Sequence, residues 1–285
     1  MTAPAQTLPA AGARSRKGRW ILAALAVAVA VGAGLYVGLR RSGSAYRDRR
    51  AWGVPSDEQA ERDEIFTLLA FAVAHKDWQE ERPDKRGFNI GAVVVDASGT
   101  NAVSWGRNCN VRLGNATQHA ELRAMLGYLD DARIYSLTGC TVYATLEPCA
   151  QCAGMMTMLG VRRVVYGQAD PEYGKAFERL QLHSRGRLRE WRGKQKRGYV
   201  PYPRAVAVHR SRSDLTRRLE EAHDRSGSDM PDFLCSEEVR ALFEEARRAL
   251  DAYRVRHPEN ESALSSARSM LESVPEDYAP LGLDL

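Results

Sequence analysis

Two short motifs place a histidine, a carboxylate and two cysteines where they could act on one metal ion. The first is His119-Ala120-Glu121 and the second is Pro148-Cys149-Ala150-Gln151-Cys152. Zinc prefers imidazole nitrogen and thiolate sulfur, and three protein ligands leave its fourth tetrahedral position open for water. The predicted ligands are His119, Cys149 and Cys152. Glu121 is the predicted proton shuttle, because zinc forms hydroxide from bound water near neutral pH and a nearby carboxylate can move the protons.

Both motifs are predicted to begin a helix. Apolar residues recur at helical spacing after His119, and Pro148 suits the entry to a helix over 149–159. The first turn of a helix stabilises anions and lowers the pKa of a cysteine. We therefore expect the thiolates that bind zinc to form readily.

The flanking segments predict an α/β domain. A helix should start at Ser56, which has capping-box spacing to Gln59 and precedes an apolar face that covers a sheet. Strands alternate with the helices that carry the motifs, which favours a mixed sheet with helices packed on it. The predicted strands are 89–96, 102–105, 141–146 and 163–166.

The cysteine pattern has two competing interpretations. Cys-x-x-Cys also occurs in redox motifs and in structural zinc ribbons. A ribbon needs a second such pair, which the sequence lacks, and a redox motif leaves the His119 motif unexplained. The total of five cysteines is odd, which favours a reducing compartment over a disulfide framework.

The combined motifs resemble the cytidine deaminase-like superfamily, most closely tRNA adenosine deaminases and allied nucleobase and nucleoside deaminases. The resemblance covers about residues 65–180. It implies a three-layer α/β/α domain, Zn²⁺, a hydrolytic deaminase reaction and a homodimer. It also implies that Asn108 and the backbone of Ala120 contact the substrate. The segments that carry it are 91–95, 106–108, 115–121, 145–155, 164–167 and 170–171.

The resemblance leaves the substrate open. Bacterial tRNA adenosine deaminases carry Asp-Pro-Thr-Ala before the His-Ala-Glu motif, whereas this chain has Asn115-Ala116-Thr117-Gln118. That loop resembles the catalytic subunit of the eukaryotic tRNA enzyme and some free-base deaminases. We favour a tRNA-adenosine-deaminase-like activity. The alternatives are deamination of free cytosine, guanine or cytidine, and a non-catalytic zinc-stabilised module that binds RNA or membrane.

The N-terminus predicts a membrane anchor. Residues 20–39 carry no charge, and as a helix they would be about 30 Å long, which matches a bilayer core. The alternative is a signal peptide cleaved near Ala28-Val29-Ala30, followed by secretion, but the apolar run is long for one. Basic residues are slightly more numerous on the C-terminal side, which favours a cytoplasmic catalytic domain.

The C-terminal third predicts two further regions. Residues 185–218 hold twelve Lys or Arg and two acids, and the whole chain has a net charge of +5. This basic segment has three interpretations: it binds RNA, it contacts an anionic membrane, or it is a charged surface that faces only solvent. Helical periodicity around Val239–Tyr253 and Leu264–Leu271 predicts a helical pair that packs or binds a partner. The predicted divisions are 1–19 disordered, 20–39 membrane helix, 40–55 linker, 56–184 deaminase domain, 185–229 basic segment and 230–285 helical extension.

Overall fold

The structure is a computed structural model that describes residues 55–80, 86–179 and 206–276. The predicted membrane helix 20–39 and most of the basic segment 185–218 lie outside these ranges. No helix within them is long and apolar enough to cross a bilayer. The helices are α1 Asp57–His75, α2 Ala120–Asp131, α3 Ala150–Leu159, α4 Ala176–Arg179, α5 Asp214–Ser226, α6 Met230–Phe233, α7 Glu237–Ala252 and α8 Glu261–Ser273.

The predicted mixed sheet is confirmed, with five strands in the order β2-β1-β3-β4-β5. Strand β1 is antiparallel to both β2 and β3, whereas β3, β4 and β5 run parallel. The strands are β1 Gly91–Val95, β2 Ala102–Arg107, β3 Thr141–Leu146, β4 Arg163–Gln168 and β5 Ala207–Arg210. The sequence did not predict β5, which comes from the basic segment.

Helix α1 starts as predicted, because the Ser56 Oγ accepts a hydrogen bond from the Gln59 backbone N–H at 3.2 Å. The Gln59 side chain does not close the capping box; it donates to Asp63 instead. Asp63 fastens the helix to the sheet. Its carboxylate accepts from the Tyr143 hydroxyl on β3 and from both ends of the Arg163 guanidinium on β4.

The sheet carries helices on both faces. Helices α2 and α3 pack on the face that presents Ala92, Val94, Val142, Ala144 and Val164. Helix α1 covers the opposite face, against Val93, Val95, Tyr143 and Val165. The α/β/α layering predicted for the domain is therefore present, and both motif-bearing helices lie in one layer.

The predicted helical pair corresponds to α7 and α8, and both pack against α1. Phe243 of α7 contacts the rings of Phe71 at 4.7 Å and Trp78 at 5.7 Å. Helix α1 is therefore buried between the sheet and the C-terminal helices, and it contributes residues from nearly its whole circumference to the core. The sequence predicted one buried apolar face for α1, whereas the helix is buried on nearly all sides.

Candidate metal centre

The three predicted ligands come together at two helix starts. His119 is the N-cap residue of α2 and Cys149 is the N-cap residue of α3, with Cys152 one turn further on. The Nδ1 atom of His119 lies 3.5 Å from the Cys149 Sγ and 3.6 Å from the Cys152 Sγ. The two sulfurs are 3.7 Å apart.

This triangle fits one face of a zinc tetrahedron. Zinc bonds of ordinary length at tetrahedral angles require about 3.8 Å between two sulfurs and about 3.5 Å between a nitrogen and a sulfur. The observed edges match both values. His119, Cys149 and Cys152 would therefore hold Zn²⁺ without rearrangement.

The centre is closed on one side and open on the other. Cys152 is fully buried, whereas His119 and Cys149 are half-buried. A structural zinc site has four protein ligands, whereas a catalytic site keeps one position accessible. In the part of the chain that the structure describes, no fourth histidine, cysteine, aspartate or glutamate joins the group. The donor set is that of a catalytic site.

When no metal is bound, the pKa values of the two thiols are shifted in opposite directions. The hydrogen bond between the two sulfurs, together with one to His119, lowers the pKa of Cys149 to about 4. The same sulfur–sulfur bond and burial raise the pKa of Cys152 well above its usual range. A buried thiol beside another anion resists ionisation, so without metal Cys149 is the thiolate of the pair and Cys152 keeps its proton. Metal binding must displace the proton of Cys152.

Glu121 lies in the first turn of α2 and is 4% exposed. Burial raises the pKa of its carboxyl group to about 7. The carboxyl also shares a hydrogen bond with Cys152, so it lies at the ligand cluster.

The two predicted substrate contacts flank the ligands. Ala120 follows His119 and is buried, because Gly106 of β2 allows a very close approach of α2. A Cβ at Gly106 would lie 2.2 Å from the Ala120 carbonyl oxygen. Asn108 follows β2 and is also buried. Its neighbour Cys109 donates from its backbone N–H to the Gln118 carbonyl at 2.9 Å, which brings the Asn108 loop next to His119.

Two residues that support the site were not singled out from the sequence. The buried carboxylate of Glu147 accepts backbone N–H bonds from Asp170 and Lys175, and so fixes the loop after β4 beside Cys149. Gln151 donates to the Thr117 carbonyl at 2.8 Å and joins α3 to the loop before His119. The signal for Glu147 was available, since a charged residue at the end of an apolar strand requires a partner.

The described part of the predicted basic segment has acidic partners within the protein. Arg210 forms a bidentate pair with Glu220, and Arg218 forms one with Glu245. Arg217 pairs with Asp214 and Glu221. The Arg210 pair links β5 to α5, the Arg218 pair links α5 to α7, and the Arg217 pairs lie within α5.

Comparison with known proteins matches residues 61–168 to the cytidine and deoxycytidylate deaminase zinc-binding region. The tRNA-specific adenosine deaminase of Rickettsia felis is 31% identical over 34% of this chain and 67% of its own length. That of Haemophilus influenzae is 35% identical over 32% of this chain and 52% of its own length. The probable cytosine deaminase of Schizosaccharomyces pombe is 33% identical over 39% of this chain and 64% of its own length.

The chain spans between 16% and 67% of the length of these and other curated relatives. The matched segment contains Asn108, Glu121 and all three ligand residues. The ligand geometry, the mixed sheet and the matched zinc-binding region all indicate the same family. The chain belongs to the cytidine and deoxycytidylate deaminase family of zinc-binding proteins.

Proposed function

We propose that the protein is a zinc-dependent hydrolytic deaminase that acts on the adenine ring of an adenosine in tRNA. The observation that carries this proposal is the buried carboxyl group of Glu121 beside a three-ligand cluster with an open side. Two tRNA-specific adenosine deaminases among the relatives support the substrate.

In the reaction, water oxygen bonds to the ring carbon that bears the amine, and the carbon–nitrogen bond then breaks. The products are an oxo-substituted ring and ammonia. Bound Zn²⁺ supplies the Lewis acidity that makes water a nucleophile near neutral pH. Glu121 accepts one proton from the water and passes it to the adjacent ring nitrogen. It then takes the second proton from the newly bonded oxygen and delivers it to the departing amine, which leaves as ammonia. One carboxylate serves all these steps because they occur in sequence.

The remaining site residues bind and orient the base. Asn108 hydrogen-bonds the base or its ribose, and the Ala120 backbone contacts the base edge. The base would reach the cluster from the side of His119 and Cys149, which are half-buried. A purely structural zinc site has no use for a buried carboxyl group, so the non-catalytic alternative is disfavoured by Glu121.

A second candidate is deamination of a free base such as cytosine. It is favoured by the similarity to the probable cytosine deaminase and by the Asn115–Gln118 loop, which differs from the bacterial tRNA enzymes. The two candidates share the same metal centre and proton shuttle. They differ in whether a polynucleotide must contact the loops around the site.

An ammonia-release assay with the zinc-loaded protein separates these candidates. The substrates are tRNA, adenosine, cytidine, free cytosine and free guanine, and we expect release from tRNA. Release from cytosine alone would select the second candidate. Absence of release from all five would contradict the deaminase assignment.

The Glu121→Gln variant tests the mechanism. We expect it to keep zinc and the fold but to lose about 10²- to 10⁴-fold in rate, since a general acid–base group contributes that much. Glu272→Gln, on the exposed surface of α8, is the matched control and should retain full activity. Unchanged turnover in Glu121→Gln would exclude its role.

We also propose that two copies associate through the layer formed by α2 and α3. That layer and the loop after α2 carry large apolar side chains that are exposed to solvent. They are Leu126, Ile134, Tyr135 and Met158, exposed by 36%, 37%, 94% and 59%. A second copy is the expected occupant because the resemblance implies a homodimer.

A further inference from the structure

The loop between β2 and α2 joins the proposed substrate contact to a metal ligand. It begins at Asn108, whose backbone N–H donates to the Ile90 carbonyl at 3.0 Å. The Cys109 backbone N–H donates to the Gln118 carbonyl at 2.9 Å, one residue before His119. A shift at the start of this loop is therefore transmitted to the residue that precedes the ligand.

A buried arginine is hydrogen-bonded to this loop at two points. Arg86 is 1% exposed, and its Nη1 atom donates to the Asn108 carbonyl at 2.7 Å. The Arg86 carbonyl accepts from the Arg112 backbone N–H at 3.2 Å. One residue thus fixes two points of the loop, one through its side chain and one through its backbone.

Gly87 sets the orientation of the Asn108 side chain. Its φ of +143° is accessible mainly to glycine, and a Cβ there would lie 2.5 Å from the Asn108 Oδ1. The same oxygen accepts the Asn110 backbone N–H at 3.2 Å. The oxygen end of the amide is therefore occupied by the protein.

The Arg86 guanidinium is itself locked in place. Its Nε lies 2.7 Å from the Asp77 Oδ2, and its Nη2 donates to the Asp77 carbonyl at 2.8 Å. Its backbone N–H donates to the Gln79 Oε1 at 2.9 Å. The guanidinium is planar and is held by several partners, so it cannot rotate freely. It therefore holds the Asn108 carbonyl in one position.

The C-terminal helices share this framework. The Asn89 Nδ2 donates both to the Gln79 carbonyl at 2.7 Å and to the Leu234 carbonyl, just after α6, at 3.0 Å. Arg107, the last residue of β2, donates to the Pro275 carbonyl, beyond α8, at 2.7 Å. The segments before and after α7 and α8 are thus bonded to the residues that support the substrate loop.

We propose that Arg86 is a positioning residue for substrate binding, which holds Asn108 at the angle and depth that the substrate requires. The proposal rests on the proposed function, in which Asn108 contacts the substrate. Arg86 acts through the Asn108 main chain and not by touching the substrate. Its replacement should therefore loosen the loop and weaken binding while the zinc ligands stay in place.

The test compares Arg86→Met and Arg86→Lys with Arg163→Met in the full-length chain. Arg163 is the matched control, because its guanidinium is also largely shielded from solvent and makes two hydrogen bonds, but to Asp63 on α1. Hydrogen exchange needs no substrate, so it is the first readout. We expect the Cys109 and Asn110 amides to exchange at least tenfold faster in Arg86→Met, and to be unchanged in Arg163→Met.

Kinetics provide the second readout, with the fastest substrate of the five-substrate ammonia assay. We expect Arg86→Met to raise KM about tenfold or more with a smaller change in kcat and one zinc per chain. Arg86→Lys should recover part of the loss, since an ammonium can still donate to the Asn108 carbonyl. If Arg86→Met fails to fold, Arg86→Lys still tests the positioning role.

Loop exchange in the folded Arg86 variants equal to that of Arg163→Met would overturn the positioning role. Unchanged KM would do so as well. If the wild-type protein deaminates none of the substrates, the proposed function fails, and the exchange experiment still decides whether Arg86 holds the loop.

Discussion

The atoms of the ligand cluster determine which metal the site favours. One imidazole nitrogen and two sulfurs form a triangle with edges of 3.5, 3.6 and 3.7 Å. Magnesium and calcium prefer oxygen ligands at octahedral or higher coordination, so this soft, tetrahedral donor set disfavours them. Residue type and spacing along the chain predicted all three ligands. The two cysteines share a geometry that is fixed within one helical turn, whereas the distance from His119 to the sulfurs depends on how the two helices pack on the sheet.

Removing one ligand should abolish zinc binding and its stabilisation. We expect Cys152→Ser to purify without zinc, because a serine hydroxyl does not replace a thiolate ligand. Zinc at a thousand times its dissociation constant stabilises a folded protein by about 4 kcal/mol, so added zinc should raise the wild-type Tm and leave the variant unchanged. Metal analysis and thermal unfolding measure both effects.

Cys140→Ser is the matched control, since Cys140 is equally buried but lies before β3, outside the ligand cluster. It should keep one zinc per chain and the zinc-dependent rise in Tm. Stoichiometric zinc in Cys152→Ser, or its loss in Cys140→Ser, would show that the ligand set is wrong.

At the scale of elements, helix α1 shows the limit of periodicity. Its apolar face at Ile65, Leu68 and Leu69 was predicted, and these residues are buried. Phe66 and Phe71 are equally buried, because α7 and α8 cover the side that the sheet does not. A helix enclosed on both sides has little amphipathic contrast, so its second partner cannot be identified from its own sequence.

Strand β5 was missed for a different physical reason. Ala207–Arg210 is four residues long, with one buried residue, and it follows a strongly basic stretch. A short strand with so little buried surface has a weak local signal, and its place beside β4 depends on long-range pairing. Strand β1 was predicted because a continuous apolar run marks a strand buried on both faces.

Glu61 of α1 joins this helix to the connection between α7 and α8. Its buried carboxylate accepts backbone N–H bonds from Arg256 and His257 and a side-chain bond from Asn260. Burial alone would raise the pKa of Glu61, but these hydrogen bonds outweigh it and lower the pKa below its ordinary value. A carboxyl group with a lowered folded-state pKa stabilises the fold above its unfolded-state pKa. That stability is lost as the pH falls through the folded-state value.

We therefore expect Glu61→Gln to destabilise the protein most at neutral pH. The difference in free energy of unfolding from wild type should narrow as the pH falls through the lowered folded-state pKa of Glu61, because wild-type Glu61 then also becomes protonated. Urea unfolding from pH 7 to pH 3 measures this difference. Glu237→Gln, which replaces an exposed carboxylate of α7, should change stability little at any pH. A difference for Glu61→Gln that stays constant with pH would contradict the role of its charge.

At the scale of the molecule, the C-terminal helices pack into the same core as the matched deaminase region and do not form a separate module. Together with α1, they form one continuous apolar core on one face of the sheet. The sequence predicted both helices and their apolar faces, since 3.6-residue periodicity is a local property. It could not predict that α1 is their partner, because the contact joins segments far apart in the chain. The apolar faces of α7 and α8 are used within the chain.

The proposed dimer should dissociate when its proposed interface is charged. An aspartate at the centre of an apolar interface must be desolvated, so Tyr135→Asp and Met158→Asp should shift the protein from dimer to monomer. Sedimentation velocity over a hundredfold range of protein concentration distinguishes the two states. Ser265→Asp, on the exposed side of α8, adds the same charge elsewhere and should leave the dimer intact. Wild-type protein that sediments as a monomer at every concentration would refute the dimer. Dimers that persist in both aspartate variants would place the interface outside the α2–α3 layer.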